Sequence, residues 1–393
     1  MTQDAITQSQ HVPSARVVIV DQLRGLWVVV SAMVILLPAT LREWFSDQQA
    51  SWLQNLLEPS IWHGCTLRDL VNPGFLFVAG ASIGLSLTRR HGEGQPGTAM
   101  LKHLSLRTAY LFLLGLVIDG GLLSLQWPWR FSGIFQQIAL CRLGAGIFEI
   151  LAGWKASLLL AGLILFNYGA VLEMGPELQM APSTYPQRGK PPDAYSVEYN
   201  LAANIDRSFL PGRKYFGAWD PQGILVTLPA LALALLGAGS SCLLLRHLTA
   251  QNWIDSWGTM AFVGLALLQI GVLWSWWQPF NAWLLTPPVV LVAAGAGLVV
   301  LGALARIQRF SILHHSLALL KRIGQNCLGL MVGLHLIDHF GFLLVSSVAP
   351  PAGLMAGMSH TLVAVMAMLG FCAVDYGFRP NQFESGSLTS SVR

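Results

Sequence analysis

The side chains of this sequence that could do chemistry are few, and most of them lie inside long apolar runs. Inserting an Asp or Arg side chain near the centre of a bilayer costs at least about 2.5 to 3.5 kcal/mol of free energy. Such residues are therefore expected only where they form an ion pair or have a function. Each of them is therefore a candidate functional residue. The candidates are Asp21, Arg24, Arg68, Asp69, Asp119, Arg142, Glu149, His335, Asp338, His339 and Asp375.

Two of these groups have a spacing that predicts a specific contact. Asp21 and Arg24 are three residues apart, so they share one helical face and can form an ion pair; a structural and a functional role fit equally well. Asp69 follows Thr66 by three residues, which is typical of a capped helix amino terminus. The free N–H groups of such a terminus can also bind an anionic or carbonyl oxygen.

His63 is the histidine whose position most favours catalysis. It stands beside Trp62 at the outer entry of a predicted span, where a partly desolvated imidazole can act as a general base near neutral pH; a structural role is the alternative. His335 and His339 have the i, i+4 spacing of a haem or metal pair, but no other span carries a matching pair. We therefore expect these two side chains to be buried and hydrogen-bonded, without a metal.

The composition indicates a membrane protein. Of the 393 residues, 54% are hydrophobic and 11% are charged, whereas roughly 25% are charged in soluble domains. Soluble enzymes, nucleic-acid binders and disordered scaffolds are therefore poor interpretations. The sequence also lacks G-x-x-x-x-G-K-[ST], G-x-S-x-G and H-E-x-x-H motifs, so nothing in it supports ATP-driven transport, serine hydrolysis or zinc proteolysis.

Long apolar runs predict an all-α bundle of about ten transmembrane helices. The transmembrane domain is expected to cover 16–378, between polar cytoplasmic tails at 1–15 and 379–393, with one long ordered extracytoplasmic loop at 173–222. Lys and Arg concentrate in the loops of one side, which favours both termini in the cytoplasm. A bacterial inner membrane is the expected location. The predicted spans are 19–40, 70–87, 109–125, 134–152, 156–172, 224–245, 258–277, 283–305, 327–348 and 361–378.

Several strings resemble those of a single family. V-D-Q-L-R-G-L (20–26) and W-H-G-C-T-L-R-D-L-V-N-P-G-F-L-F-V-A-G-A-S-I-G-L-S-L (62–87) look like the opening of the heparan-α-glucosaminide N-acetyltransferase family and its bacterial relatives. Further similar strings follow in the family's order, from residue 133 to residue 328. They are G-I-F-Q-Q-I-A-L (133–140), N-L-A-A-N-I-D-R (200–207), W-D-P-Q-G-I-L-V-T-L-P-A (219–230), P-F-N-A-W-L-L-T-P (279–287) and G-Q-N-C-L (324–328).

This resemblance implies a transmembrane acyltransferase that moves an acetyl or other acyl group from cytoplasmic acyl-CoA to an extracytoplasmic amino sugar or glycan. Its partners would be the lipid bilayer, acetyl-CoA or another acyl-CoA, and that acceptor, with no nucleic acid. The CoA phosphates are expected at four basic residues, Arg89, Arg90, Lys102 and Arg107. The acceptor is expected to contact Asp21, Arg24, Trp62, Asn200, Asp206, Arg207, Asp220, Asn281 and Asn326.

The sequence departs from the family pattern at four polar positions. Pro59 stands where the family has its catalytic histidine, and Leu37 or Pro38 stands where it has an Asn. Gln137 replaces an Arg, and Gln222 replaces a Glu.

These departures lead to more than one functional hypothesis. In an active acyltransferase, His63 or Asp69 would be the catalytic residue in place of the missing histidine. A catalytically lapsed member would instead be a structural or binding subunit of a larger membrane complex, or a homodimer. A solute or lipid transporter is the third interpretation.

Overall fold

The computed structural model describes residues 15–44, 53, 55–119, 121, 127–175, 193–217, 219–249, 253–308 and 314–335. The predictions for Asp338, His339, Asp375 and the tenth span fall outside these residues. Most of the ninth span, positions 176–192 of the outer loop, and the tails at 1–14 and 379–393 fall outside them as well.

The described residues form helices joined by turns, which confirms the predicted all-α class. Two isolated backbone bridges, Gly64 with Asn281 and Arg130 with Gly212, link loop segments. The helices are α1 (Ala15–Trp44), α2 (Val71–Gly92), α3 (Gly97–Ile118), α4 (Ile134–Glu173), α5 (Leu201–Phe209), α6 (Thr227–Thr249), α7 (Trp253–Trp274), α8 (Pro287–Ile307) and α9 (His314–Gln325). A helical stretch at 327–335 follows α9.

Six of these helices are long and apolar enough to cross a membrane: α1, α2, α3, α4, α7 and α8. A shorter apolar stretch, Thr227–Cys242, lies in α6. The 40-residue α4 is interrupted at Gly153, whose φ of 78° is a conformation that suits glycine. The predicted fourth and fifth spans lie on either side of this break. The number ten itself is not confirmed.

The third predicted span begins too late. The sequence interpretation started it at Ala109 because Lys102 and Arg107 were assigned to a loop, whereas α3 begins at Gly97. Both basic side chains are exposed on the first turns of α3. Long basic side chains are good helix formers and can reach the polar surface from a helix end, so they extend the helix instead of ending it.

Small residues set the distances between the central helices. A β-carbon at Gly80 of α2 would overlap the carbonyl oxygen of Ala234 in α6. A β-carbon at Gly25 of α1 would overlap the carbonyl oxygen of Leu320 in α9. Close helix packing through small residues is typical of membrane bundles. It holds α1, α2, α6 and α9 in the register that shapes the cavities described next.

Candidate active site

A cavity of about 1090 Å³ lies at the amino-terminal end of α1 and the carboxyl-terminal end of α2. It also reaches residues of α3 and the middle of α4. Five arginines line it, together with the acidic residues Asp21, Glu93 and Glu149. We call it the basic cavity, and its arginines are Arg24, Arg89, Arg90, Arg107 and Arg142.

The arginines of the basic cavity come from four helices and are held differently. Arg24 pairs with Asp21 at 2.7 Å and donates from Nε to Ser82 Oγ at 3.0 Å, which confirms the predicted ion pair. Arg89 pairs with Glu93 at 2.8 Å. The Nε atom of Arg142 is buried and has no hydrogen-bond partner among the described residues. An anion entering the cavity would therefore meet at least one guanidinium with an unused donor.

The structure brings only part of the predicted CoA site together. Arg89, Arg90 and Arg107 all line the basic cavity, whereas Lys102 is exposed and is not part of the lining. Asp21 and Arg24 were predicted to contact the acceptor, but they lie here. Arg142 was missing from the predicted CoA contacts, although its charge within an apolar run was a usable signal.

Glu149 also faces the basic cavity, and its carboxylate is already engaged. Ser157 donates to one oxygen at 2.7 Å and the Cys242 thiol donates to the other at 3.2 Å. These contacts satisfy a carboxylate that would otherwise be costly inside an apolar bundle.

A second cavity, of about 240 Å³, lies at the opposite ends of α1 and α2. We call it the loop-side cavity, because loop residues such as Pro59, Gln222 and Trp283 complete its wall. The Ser31 Oγ and Asn72 Oδ1 atoms are buried and have no partner among the described residues, and both side chains line this cavity. The cavity therefore offers polar atoms to a small ligand group.

Asp69 lines the loop-side cavity and organises the loop that precedes α2. Its carboxylate accepts the Ser60 N–H at 3.1 Å, the Thr66 N–H at 2.9 Å and the Thr66 hydroxyl at 3.1 Å. The expected reciprocal bond from Asp69 N–H to Thr66 Oγ1 is also present at 3.3 Å. However, α2 begins at Val71, and its N-cap residue Leu70 makes no side-chain cap bond. The hydrogen bonds between Thr66 and Asp69 therefore stabilise a separate turn that precedes the helix.

His63 and Trp62 lie in the same loop. His63 is exposed, contacts Trp62 edge-on with ring centroids 6.4 Å apart, and lines neither of the two cavities. Trp62 donates from Nε1 to the carbonyl oxygen of Tyr195 at 2.6 Å and packs against Trp219. Trp62 therefore joins the α2 entry to the outer loop.

A buried network in the loops holds several of the predicted acceptor-binding side chains. Arg130 binds both carboxylate oxygens of Asp220, at 2.7 and 2.8 Å, and Gln222 Oε1 at 2.7 Å. Asp206 accepts the N–H groups of Asp220 and Ile224. Burial raises the pKa of Asp206, and these two backbone donors oppose that shift.

The asparagines that were predicted to contact the acceptor also make hydrogen bonds within the protein. Asn200 accepts the Ala203 N–H at 2.7 Å and so caps α5. Asn281 accepts the Leu284 N–H at 2.9 Å in the turn before α8. Asn326 donates to the Arg322 carbonyl, and the exposed Arg207 donates to the Glu198 carbonyl. These bonds give each residue a structural role, and their contacts with an acceptor stay predictions.

The two cavities share no lining residue. Arg24 and Ser31, which line different cavities, are seven residues apart on α1, or about 10 Å along the helix axis. Trp27 lies between them, and a β-carbon at Gly74 would stand 2.7 Å from its indole ring. The Trp27 indole therefore occupies the wall between the cavities.

His335 is a site residue whose place the sequence interpretation missed. It lines the loop-side cavity, contacts the Phe135 ring and places Nε2 3.9 Å from Asp119 Oδ1. The sequence grouped it with Asp338 and His339, which both lie outside the described residues. Within those residues, no three His, Cys, Asp or Glu side chains group as metal ligands would.

Residues 16–192 match a family model described as heparan-alpha-glucosaminide N-acetyltransferase, catalytic. Residues 16–192 are therefore similar to the catalytic region of this family. This stretch contains all of the basic-cavity lining except Cys242, whereas His335 lies beyond it. Together with the six apolar helices, the family match identifies an integral membrane protein.

Two mammalian relatives carry the name of this family. The heparan-alpha-glucosaminide N-acetyltransferase of Homo sapiens is 25% identical over 228 aligned positions, which cover 47% of this chain and 34% of the human protein. The protein of the same name from Mus musculus is 24% identical over 230 aligned positions, which cover 48% of this chain and 35% of the mouse protein. The similarity thus spans about a third of these relatives' length.

Proposed function

We propose that this chain is a transmembrane acyltransferase, which binds acyl-CoA in the basic cavity and delivers the acyl group to an acceptor at the loop-side cavity. The observation that carries this proposal is the convergence of five arginines on one 1090 Å³ cavity. In the proposed orientation the basic cavity faces the cytoplasm, as the positive-inside rule favours. The proposed location is a bacterial inner membrane.

The basic cavity has the charge and size that a CoA thioester needs. CoA carries several phosphate groups, and the planar guanidinium of Arg binds phosphate oxygens through two parallel hydrogen bonds. Typical small-molecule pockets hold about 300 to 1000 Å³, so this cavity suits a large ligand. Arg142 and Arg24 would bind deeper, since both lie within the bundle, and Arg89 would bind near the helix end.

The loop-side cavity is suited to the reacting end of the acceptor. Its volume of about 240 Å³ admits one amine or hydroxyl group with its neighbouring atoms rather than a whole glycan. Ser31 Oγ and Asn72 Oδ1 are available to orient that group, because neither has a partner among the described residues. An amino sugar or other glycan is therefore the proposed acceptor class.

In the transfer step, the acceptor nitrogen or oxygen attacks the thioester carbonyl carbon, a new C–N or C–O bond forms and the C–S bond breaks. The acceptor loses one proton and the CoA thiolate gains one, so the reaction balances without a further reactant. The acyl end must cross about 10 Å between the cavities.

The test compares two substitutions on α3 that each remove one positive charge. Arg107→Gln, within the basic cavity, is expected to weaken acetyl-CoA binding in detergent roughly 10-fold or more, because a hydrogen bond to a charged group contributes about 1.5 to 3 kcal/mol. Lys102→Gln, outside the lining, is the matched control and should bind normally. Equal affinities for both variants and the wild type, measured by isothermal titration calorimetry, would refute the proposed CoA site.

A binding subunit is the second candidate function, and Pro59 favours it. This residue lines the loop-side cavity at the position where the family resemblance expects the catalytic histidine, and proline has no side-chain base. Release of CoA thiol from acetyl-CoA, followed with a panel of amino sugars and glycans, separates the two functions. Tight acetyl-CoA binding without any acceptor-dependent thiol release would support the binding subunit.

A further inference from the structure

The loop-side cavity holds an imidazole whose two nitrogens have different partners. His335 Nδ1 lies 3.3 Å from the carbonyl oxygen of Met331. A carbonyl oxygen can only accept, so Nδ1 carries the proton in this contact. The lone pair of the neutral ring is then on Nε2, and 22% of the side-chain surface is exposed.

Asp119 faces that second nitrogen. Its Oδ1 atom lies 3.9 Å from His335 Nε2, which is too long for a direct hydrogen bond but short enough for an ion pair once the ring is protonated. Its Oδ2 atom is buried and has no hydrogen-bond partner among the described residues. The carboxylate sits at the carboxyl-terminal cap of α3, where a β-carbon at Gly133 would stand 2.8 Å from Oδ2. The carboxylate is therefore close enough to stabilise a positive charge on the ring.

The other charged groups that line this cavity are less suited to take a proton. Asp69 already accepts three hydrogen bonds, which hold its carboxylate toward the loop. Arg68 donates to the Val34 carbonyl, and its guanidinium has only donor groups, so it cannot accept a proton. His63 is not part of the lining. His335 is thus the residue of the cavity that has a basic lone pair and a nearby carboxylate.

We infer that His335 is the general base of the proposed transfer and that Asp119 is its positioning residue. This inference rests on the proposed acyltransferase function. His335 Nε2 takes the proton that the acceptor N–H or O–H loses as it attacks the thioester, and the ring then gives that proton to the departing CoA thiolate. The ring is neutral again after one turnover. Asp119 stabilises the imidazolium between the two proton transfers.

The test uses the full chain in detergent with acetyl-CoA and the acceptor that gives the fastest thiol release in the panel. His335→Ala is expected to lower kcat roughly 10²- to 10⁴-fold, the usual contribution of a general base. Its affinity for acetyl-CoA should stay within a factor of about two, because His335 does not line the basic cavity. Added imidazole should restore part of the rate, which a purely structural histidine would not allow.

Asp119→Asn provides an independent measurement of the same inference. Without the carboxylate, the ring is protonated less readily, so the acidic limb of the pH dependence of kcat should move to lower pH while the Kd for acetyl-CoA is unchanged. If His335→Ala does not fold, Asp119→Asn alone tests the inference. An acidic limb of the kcat–pH profile at the same pH as in the wild type overturns it.

The outcomes separate this inference from the proposed function. A wild-type chain that neither binds acetyl-CoA nor releases thiol refutes the proposed function itself. A chain that transfers normally, together with an unimpaired His335→Ala variant or one that imidazole does not rescue, refutes only the role of His335.

Discussion

Arg130 and Asp220 form a two-point ion pair in the loops beside the loop-side cavity, with Nε–Oδ2 and Nη2–Oδ1 distances of 2.7 and 2.8 Å. The Asp220 side chain is fully buried and also accepts the N–H groups of Tyr215 and Gln222. The same guanidinium binds Gln222, which lines the cavity. The pair therefore connects the outer loops to the wall of the candidate site.

Removing Arg130 should destabilise the protein strongly. Arg130→Gln leaves a buried carboxylate without its cation, and breaking a buried ion pair in this way costs about 3 to 5 kcal/mol. Arg207→Gln is the matched control, because the Arg207 side chain is exposed and substitutions at such positions change stability by about 0.5 kcal/mol or less. Thermal unfolding in detergent should show a large fall in Tm for the first variant alone; similar Tm values would contradict the role of the pair.

Asp206 should make the stability of the loop network depend on pH. Burial raises the pKa of this carboxyl in the folded chain, while an unfolded Asp has a pKa of about 3.9. The folded state therefore holds the proton more tightly, and this contribution is present below about pH 3.9 and lost as pH rises through the folded-state pKa.

The measurement for Asp206 is a comparison of Tm at two pH values. Relative to the wild type, Asp206→Asn should gain stability between pH 4 and pH 7, because the variant has no proton to lose. It can still accept one of the two backbone N–H bonds through its amide oxygen. A Tm difference that does not change with pH would show that Asp206 titrates alike in both states.

Gly74 should be intolerant of a larger side chain. A β-carbon there would stand 2.7 Å from the Trp27 indole in the wall between the cavities, so Gly74→Ala must displace the ring or the helix. We expect a loss of about 1 to 3 kcal/mol, as is usual for overpacked cores.

Gly162→Ala is the control for Gly74. Nothing lies within 4 Å of a β-carbon at Gly162, and alanine is favoured over glycine in a helix by about 1 kcal/mol. Melting temperatures in detergent should therefore move in opposite directions for the two variants. A neutral Gly74→Ala variant would mean that Trp27 is not held tightly in the wall.

Cys65 should react slowly with alkylating reagents. Burial, and secondarily the nearby Asp69 carboxylate, raise the pKa of this thiol to about 12. At pH 8 only about one molecule in 10,000 then carries the reactive thiolate, against about one in four for an ordinary thiol.

Peptide mapping after iodoacetamide treatment measures this reactivity directly. Cys65 in the folded chain should be labelled far more slowly than in the denatured chain. Asp69→Asn removes the negative charge and should speed the labelling of the folded form. Equal labelling of folded and denatured chains at pH 8 would contradict the burial of this thiol.

The membrane character and the helical class followed from composition and from the length of the apolar runs, because every span must satisfy its own backbone hydrogen bonds. Local spacing also predicted local contacts correctly. The Asp21–Arg24 pair is the clearest case, since residues three apart on a helix are neighbours in any tertiary structure. The reciprocal bonds of Thr66 and Asp69 are another, although the helix begins later than their spacing suggested.

The sequence alone determined which charged residues lie in apolar segments, where burying a charge costs free energy and a paired or functional role is favoured. Only the tertiary structure determined which of these side chains lie close together. Arg142 joins the arginines of α2 and α3 in one cavity, and His335 faces Asp119 across 216 positions of sequence. Helical periodicity fixes which residues share a face of one helix, but not which neighbouring helix that face contacts. That choice depends on the close packing of small residues such as Gly80 and Gly25, summed over the whole bundle.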